Sequence, residues 1–173
     1  VSFFEVALNS EHGLKQIAIL RDHFGEKCMI GAGTAISVDL AKAAIDAGAQ
    51  FLLTPGTPID VLQYCAKKDI MLLPGVFTPG DVATSLEFGY KTMKLFPAGC
   101  TPKGYLKALK GPYDEANYIA IGGVTIDNIN DYFKEGYMGV GIASNLIPPS
   151  VLKDENWGLG ASYVRKYVSR IKR

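Results

Sequence analysis

The sequence predicts an α/β fold in which parallel strands alternate with helices in one continuous series. Three observations predict it. Short apolar runs recur at intervals of about 20 to 26 residues, the length of one strand, one helix and their loops. The runs are continuously apolar rather than alternating, as strands covered on both faces are. Between them, capping residues open amphipathic stretches that glycines close.

In chain order the runs are FFEVAL (3–8), MIGAG (29–33), FLLTPG (51–56), IMLLPGV (70–76), TMKLFP (92–97), YIAIGG (118–123) and MGVGIAS (138–144). Ser10 is placed to cap a helix ending at Gly25, and Ser37 one ending at Gly48. Thr57-Pro58 and Thr78-Pro79 each set a capping hydroxyl before a proline at the first helical position. TPID and TPGD also bring an aspartate to the positive end of the helix dipole. Thr125 opens another helix, closed by Gly136. This alternation fits a doubly wound sheet or a (β/α)8 TIM barrel lacking one unit. The barrel is the better fit, because the first βα unit would then be the one missing, ahead of Val1. The chain opens inside an apolar run with no leader and no initiator methionine, so an upstream strand and helix are expected to complete the ring. No linker or composition shift divides residues 1–173, which read as a single barrel domain.

Composition narrows the function. The 173 residues are 48% hydrophobic and 20% charged, ordinary for a soluble globular protein. Formal net charge is +1, and the basic residues are scattered apart from the terminal SRIKR (169–173), read as the last turn of a helix. No nucleic-acid surface is implied. Cys28, Cys65 and Cys100 are far apart, and His12 and His23 lack ligand spacing, so neither a disulfide framework nor a metal site is expected. No apolar run approaches the roughly 18 residues that span a bilayer. No membrane association is expected, and a reducing cytoplasm is the default location.

In KTMKLFP (91–97), Lys94 stands between Met93 and Leu95, and an ammonium without a partner is costly to bury. Glu5 interrupts FFEVAL in the same way. If both face the barrel axis, one acid and one base meet in a poorly hydrated place. Desolvation lowers a lysine toward neutrality and makes it a nucleophile able to condense with a ketone. A neighbouring carboxylate can then move protons. The plain alternative is a structural ion pair or a lysine snorkelling at a strand end. Gly122 and Gly123 end one strand and lead into a threonine-capped helix, a place where backbone N–H groups hold phosphate. Ser144, in GIAS (141–144), offers a hydroxyl after the next strand; the alternative is that the glycines only permit tight turns. Thr34, in GAGT (31–34), is placed to donate to a substrate carboxylate or simply to close a turn. Thr54 in TPG has the same two readings, and no GxGxxG completes a dinucleotide site.

FFEVAL, IGAGT, AGAQFLLTPG, LLPGV, MKLFPA, IGGVT and GIASNL, in this order from about residue 3 to residue 147, resemble the 2-keto-3-deoxy-6-phosphogluconate (KDPG) and 4-hydroxy-2-oxoglutarate (KHG) aldolases. The resemblance implies a class I aldolase on a (β/α)8 barrel, a homotrimer that needs neither metal nor other cofactor. It would cleave a phosphorylated keto-deoxy sugar acid to pyruvate and glyceraldehyde 3-phosphate. Lys94 in MKLFPA would form the Schiff base and Glu5 in EVAL would be the general acid/base. Thr34, with Thr54 and Phe96, would line the pyruvate pocket, and Gly122, Gly123 and Ser144 would bind the phosphate.

Two positions depart from the gluconate pattern. Asn9 stands where arginine is common, and Ile121 where threonine is common, before the paired glycines. Both are closer to the phosphogalactonate branch, whose substrate differs in configuration at one carbon. Outside the family, the same residues would suit a phosphate-binding isomerase or synthase, or a catalytically silent sugar-phosphate-binding module.

Overall fold

The structure is a computed structural model that describes residues 2–171; Lys172 and Arg173, the end of the SRIKR segment, lie outside the described residues. The chain divides into two compact units, Val1–Lys94 and Leu95–Arg173.

The first unit holds β1 (Phe3–Ala7), α1 (Gly13–Phe24), β2 (Met29–Gly33), α2 (Val38–Asp46), β3 (Phe51–Leu53), α3 (Ile59–Lys67), β4 (Leu72–Leu73), β5 (Gly75–Val76) and α4 (Pro79–Glu87). Strand β6 (Thr92–Leu95) carries the boundary. Parallel pairing runs β1-β2-β3-β4, with Glu5 opposite Gly31 and Ala7 opposite Gly33. The helix-facing side of these strands is fully apolar. Ile30 and Leu52 lie at 0% exposure against Ile17 of α1 and Leu62 of α3. Each such side chain contributes about 1.5–3 kcal/mol of burial.

The second unit holds α5 (Tyr105–Lys110), β7 (Asn117–Ile121), α6 (Ile129–Glu135), β8 (Gly139–Gly141), α7 (Pro149–Lys153) and α8 (Trp157–Arg170). The second sheet is ordered β5-β6-β7-β8, with Ile121 opposite Gly141. Seven sequence runs become eight strands because Pro74 divides IMLLPGV into β4 and β5, which belong to different sheets. Proline has no N–H to give a ladder, but its carbonyl still accepts from the Lys94 N–H at 2.8 Å.

Two of the sequence's helix starts form as expected. Ser37 accepts from the Leu40 N–H at 3.3 Å, a cap contributing about 1 kcal/mol. Thr78 and Asp81 form a reciprocal capping box ahead of α4, with Pro79 at the first position. Partial burial raises Asp81, but N–H bonds from Thr78 and Phe77 and hydroxyl bonds from Thr78 and Thr57 outweigh it and hold the carboxyl below its usual range. Three starts differ. Thr57 gives its proton to Asp81 at 3.3 Å and leaves α3 to begin after Pro58 without a side-chain cap. Ser10 donates to the Ala7 carbonyl at 2.8 Å, closing the turn before α1. Thr125 exchanges bonds with Asn128, so α6 begins only at Ile129.

Candidate active site

In β6, Met93 and Leu95 are completely buried, and strand alternation puts Lys94 on the opposite face with Thr92. That face is not wet either: Lys94 is 6% exposed. Burial lowers its amine below the ordinary lysine value, while the Glu5 carboxylate beside it pulls the other way. Glu5 feels the reciprocal effects. Desolvation raises its carboxyl, and the positive charge of Lys94 partly offsets the rise. The residue as a whole is exposed, so the desolvation comes from one side, where its carboxylate lies against Gly33. The structure therefore brings together the two groups singled out in sequence, a dry amine and a solvent-accessible acid in each other's field.

Thr34 follows β2 with φ +63, a left-handed conformation that strains a β-branched residue by about 1–3 kcal/mol. Its hydroxyl points to Asn9 Oδ1 at 3.5 Å. Thr54 is fully buried. It donates to the Gly56 carbonyl at 2.6 Å and accepts from the Gly75 N–H at 3.1 Å. With its one proton so engaged, Thr54 supports the strand-end turn and the start of β5 rather than offering a donor to a ligand.

The remaining candidates belong to the second unit. Gly122 and Gly123 have φ +87 and +82. A side chain at 122 would stand 3.1 Å from the Phe96 ring, and one at 123 would stand 2.8 Å from the Gly99 α-carbon. The Gly99 N–H donates to the Gly122 carbonyl at 2.8 Å. Conformation and close approach both require glycine here, so the turn reading has direct support. Phe96 is half-buried against Gly122, and Ser144 is exposed in the turn after β8. Ile121 lies over Gly141, where an added Cβ would meet its Cγ1 at 2.8 Å.

The sequence reading missed two asparagines that hold this loop. Asn128 Nδ2 donates to the Gly123 carbonyl at 3.0 Å, and Asn145 Nδ2 to the Val124 carbonyl at 3.1 Å. The T-x-x-N spacing of Thr125 and Asn128 is a capping-box pattern that could have revealed the first; nothing local marks the second. Among the described residues no group of three or more His, Cys, Asp or Glu is placed to hold a metal ion, and no helix is long and apolar enough to cross a membrane.

Known proteins share this organisation. A family model described as KDPG and KHG aldolase matches residues 1–159. A 2-dehydro-3-deoxy-6-phosphogalactonate aldolase of Escherichia coli is 31% identical over 94% of this chain and 80% of its own length. A 2-dehydro-3-deoxy-phosphogluconate aldolase of Pseudomonas aeruginosa is 33% identical over 88% and 70% respectively. Among solved structures, the KDPG aldolase of Legionella pneumophila, with pyruvate captured as a covalent carbinolamine, matches with a TM-score of 0.88 at 29% identity, covering 95% of this chain and 80% of that one. The two parallel four-stranded sheets are those of a partial (β/α)8 barrel. The chain belongs to the KDPG and KHG aldolase family.

Proposed function

We propose that this chain is a Schiff-base aldolase that cleaves 2-dehydro-3-deoxy-6-phosphogluconate to pyruvate and glyceraldehyde 3-phosphate, with Lys94 as the nucleophile and Glu5 as the proton carrier. The observation that carries the reading is the buried Lys94 amine, lowered by desolvation and coupled to the Glu5 carboxylate. The neutral amine adds to the C2 ketone to give a carbinolamine. Protonation of its hydroxyl by Glu5 releases water and leaves an iminium. The C3–C4 bond then breaks with its electron pair moving toward the iminium nitrogen, the C4 hydroxyl gives its proton to the Glu5 carboxylate, and the aldehyde departs. The resulting enamine takes a proton at C3, and water adds to free pyruvate and the amine. Repeated proton transfers in each turnover suit a carboxyl whose pKa is raised by desolvation. The carbinolamine in the Legionella relative supports the first step.

In this reading Thr34 and Phe96 line the pyruvate pocket, and Thr54 shapes it by holding the turn at Gly56 and Gly75. Gly122, Gly123 and Ser144 are proposed, on the family resemblance and the exposure of Gly123 and Ser144, to receive the phosphate. No cofactor is needed for the chemistry. The chain is further proposed to act as a cytoplasmic homotrimer, which sedimentation of the purified protein would test.

The deciding experiment is incubation with pyruvate and borohydride followed by peptide mass spectrometry. A pyruvyl adduct on Lys94 is expected, and an unmodified Lys94 would remove the proposal. A second substrate, the galactonate epimer, is favoured by one observation: Asn9, where gluconate enzymes commonly carry arginine, reaches the Thr34 hydroxyl instead. Comparing turnover of the two epimers and of 4-hydroxy-2-oxoglutarate separates these readings.

A further inference from the structure

We propose that Gly33 and Phe51 together are a positioning device for the Glu5 carboxylate, steering it toward the C-terminal end of the strands. The inference rests on the reading of Glu5 as proton carrier. An extended side chain at Glu5 has two places to lie on its face of the sheet. One is above its register partner Gly31; the other is a step further along, above Gly33, whose own partner is Ala7. Alternation puts both glycines on that same face, and both leave it bare.

The place above Gly31 is filled. Strand β3 sets Phe51 opposite Gly31, and a Cβ at 31 would run into the Phe51 ring. That ring is itself pinned: Phe51 is 9% exposed and meets Phe3 edge-on, with centroids 5.9 Å apart. The place above Gly33 holds the acid. A Cβ at 33 would collide with Glu5 Oε1 and stand 3.0 Å from its Cγ. Gly33 lies in regular strand β2 and has no positive φ, so the backbone does not call for glycine there. What calls for it is room. Phe51 closes the near position and the missing side chain at 33 opens the far one, beside the βα loop that carries Thr34. The pair fixes where the acid sits without touching substrate.

The test reads the rate at which pyruvate methyl protons exchange with deuterium, a half-reaction that needs the amine and the proton carrier but no phosphate. Gly33→Ala is expected to lower the maximal exchange rate about 100-fold, the cost of a misplaced catalytic group, with the pyruvate KM little changed and the Lys94 adduct still trapped by borohydride. In a Glu5→Gln background the same change should cost nothing further. Phe51→Leu, which keeps Gly33 and reopens the near position, should also lower exchange, by about tenfold, and only while Glu5 is present. It carries the test if Gly33→Ala does not fold. Gly33→Ala at wild-type rate overturns the inference, as does an equal loss with and without Glu5. Where only Phe51→Leu can be measured, an unchanged rate overturns it. Full exchange in Glu5→Gln alone would sink the Glu5 reading and this inference with it. A slow Glu5→Gln beside a fast Gly33→Ala would sink only the inference.

Discussion

Lys94 and Glu5 are both ionisable groups set into apolar parallel strands, and the fold treats them in opposite ways. Lys94 lies between two completely buried neighbours and keeps 6% of its surface. Glu5 is exposed, covered on the side where Gly33 lies. In the proposed reaction the two groups have different tasks. An amine attacks only after losing its proton, which dryness favours. An acid that must give and take protons in every cycle needs contact with water as well as a raised pKa. Burying both would favour a silent ion pair; exposing both would leave a protonated lysine.

The largest effect should come from removing the dry member. Lys94→Ala is expected to abolish the trapped adduct and to lower turnover on the order of 10⁴-fold or more, measured alongside circular dichroism to show that the strands persist. Glu5→Gln should slow turnover by about 10²–10⁴-fold while borohydride still traps Lys94. Loss of the adduct in that variant would mean that the carboxylate is needed for attack itself, and would erase the division of labour.

A pH series sharpens the same contrast. Adduct formation should rise with pH and level off below the ordinary lysine value of 10.5, because burial lowers Lys94. The Glu5 carboxylate raises Lys94, so its removal in Glu5→Gln should move the inflection to lower pH; a move upward would show that the two groups do not interact. Stability carries the same sign. Folded Lys94 binds its proton less tightly than the unfolded chain does, so its contribution to stability grows as pH rises from the lowered pKa toward 10.5. The smallest effect is expected one step behind the lysine. Thr54→Val strips the Gly75 N–H of its acceptor beside Pro74, whose carbonyl takes the Lys94 N–H. It should cost about 1–3 kcal/mol in urea unfolding and leave adduct formation intact.

Much of this was legible in the sequence, for identifiable reasons. The continuous apolar runs became parallel strands, covered on both faces at β3, where all three residues are buried, while β1 keeps one face exposed. Ser37 and the Thr78-Asp81 pair behaved as caps because their partners lie three residues away. Thr57 did not, because Asp81, 24 residues on, captures its hydroxyl; no local rule sees such a partner. The division of IMLLPGV needed Pro74 to be weighed as a strand breaker rather than as part of a run. Glu5 and Lys94 could be found as charges among apolar neighbours. The clearance that Gly33 gives Glu5 could not, because it depends on which diagonal the acid takes across two strands, and Phe51 of a third strand decides that.

Thr34 holds a backbone conformation that glycine or asparagine would adopt with less resistance. A library at this position sorted only for heat resistance should therefore drift away from the native residue, toward those two. Sorted for aldol cleavage, it should keep the hydroxyl and accept the lower melting point. The gap between the two populations would measure how far selection for turnover has held this corner of the loop away from its most comfortable shape.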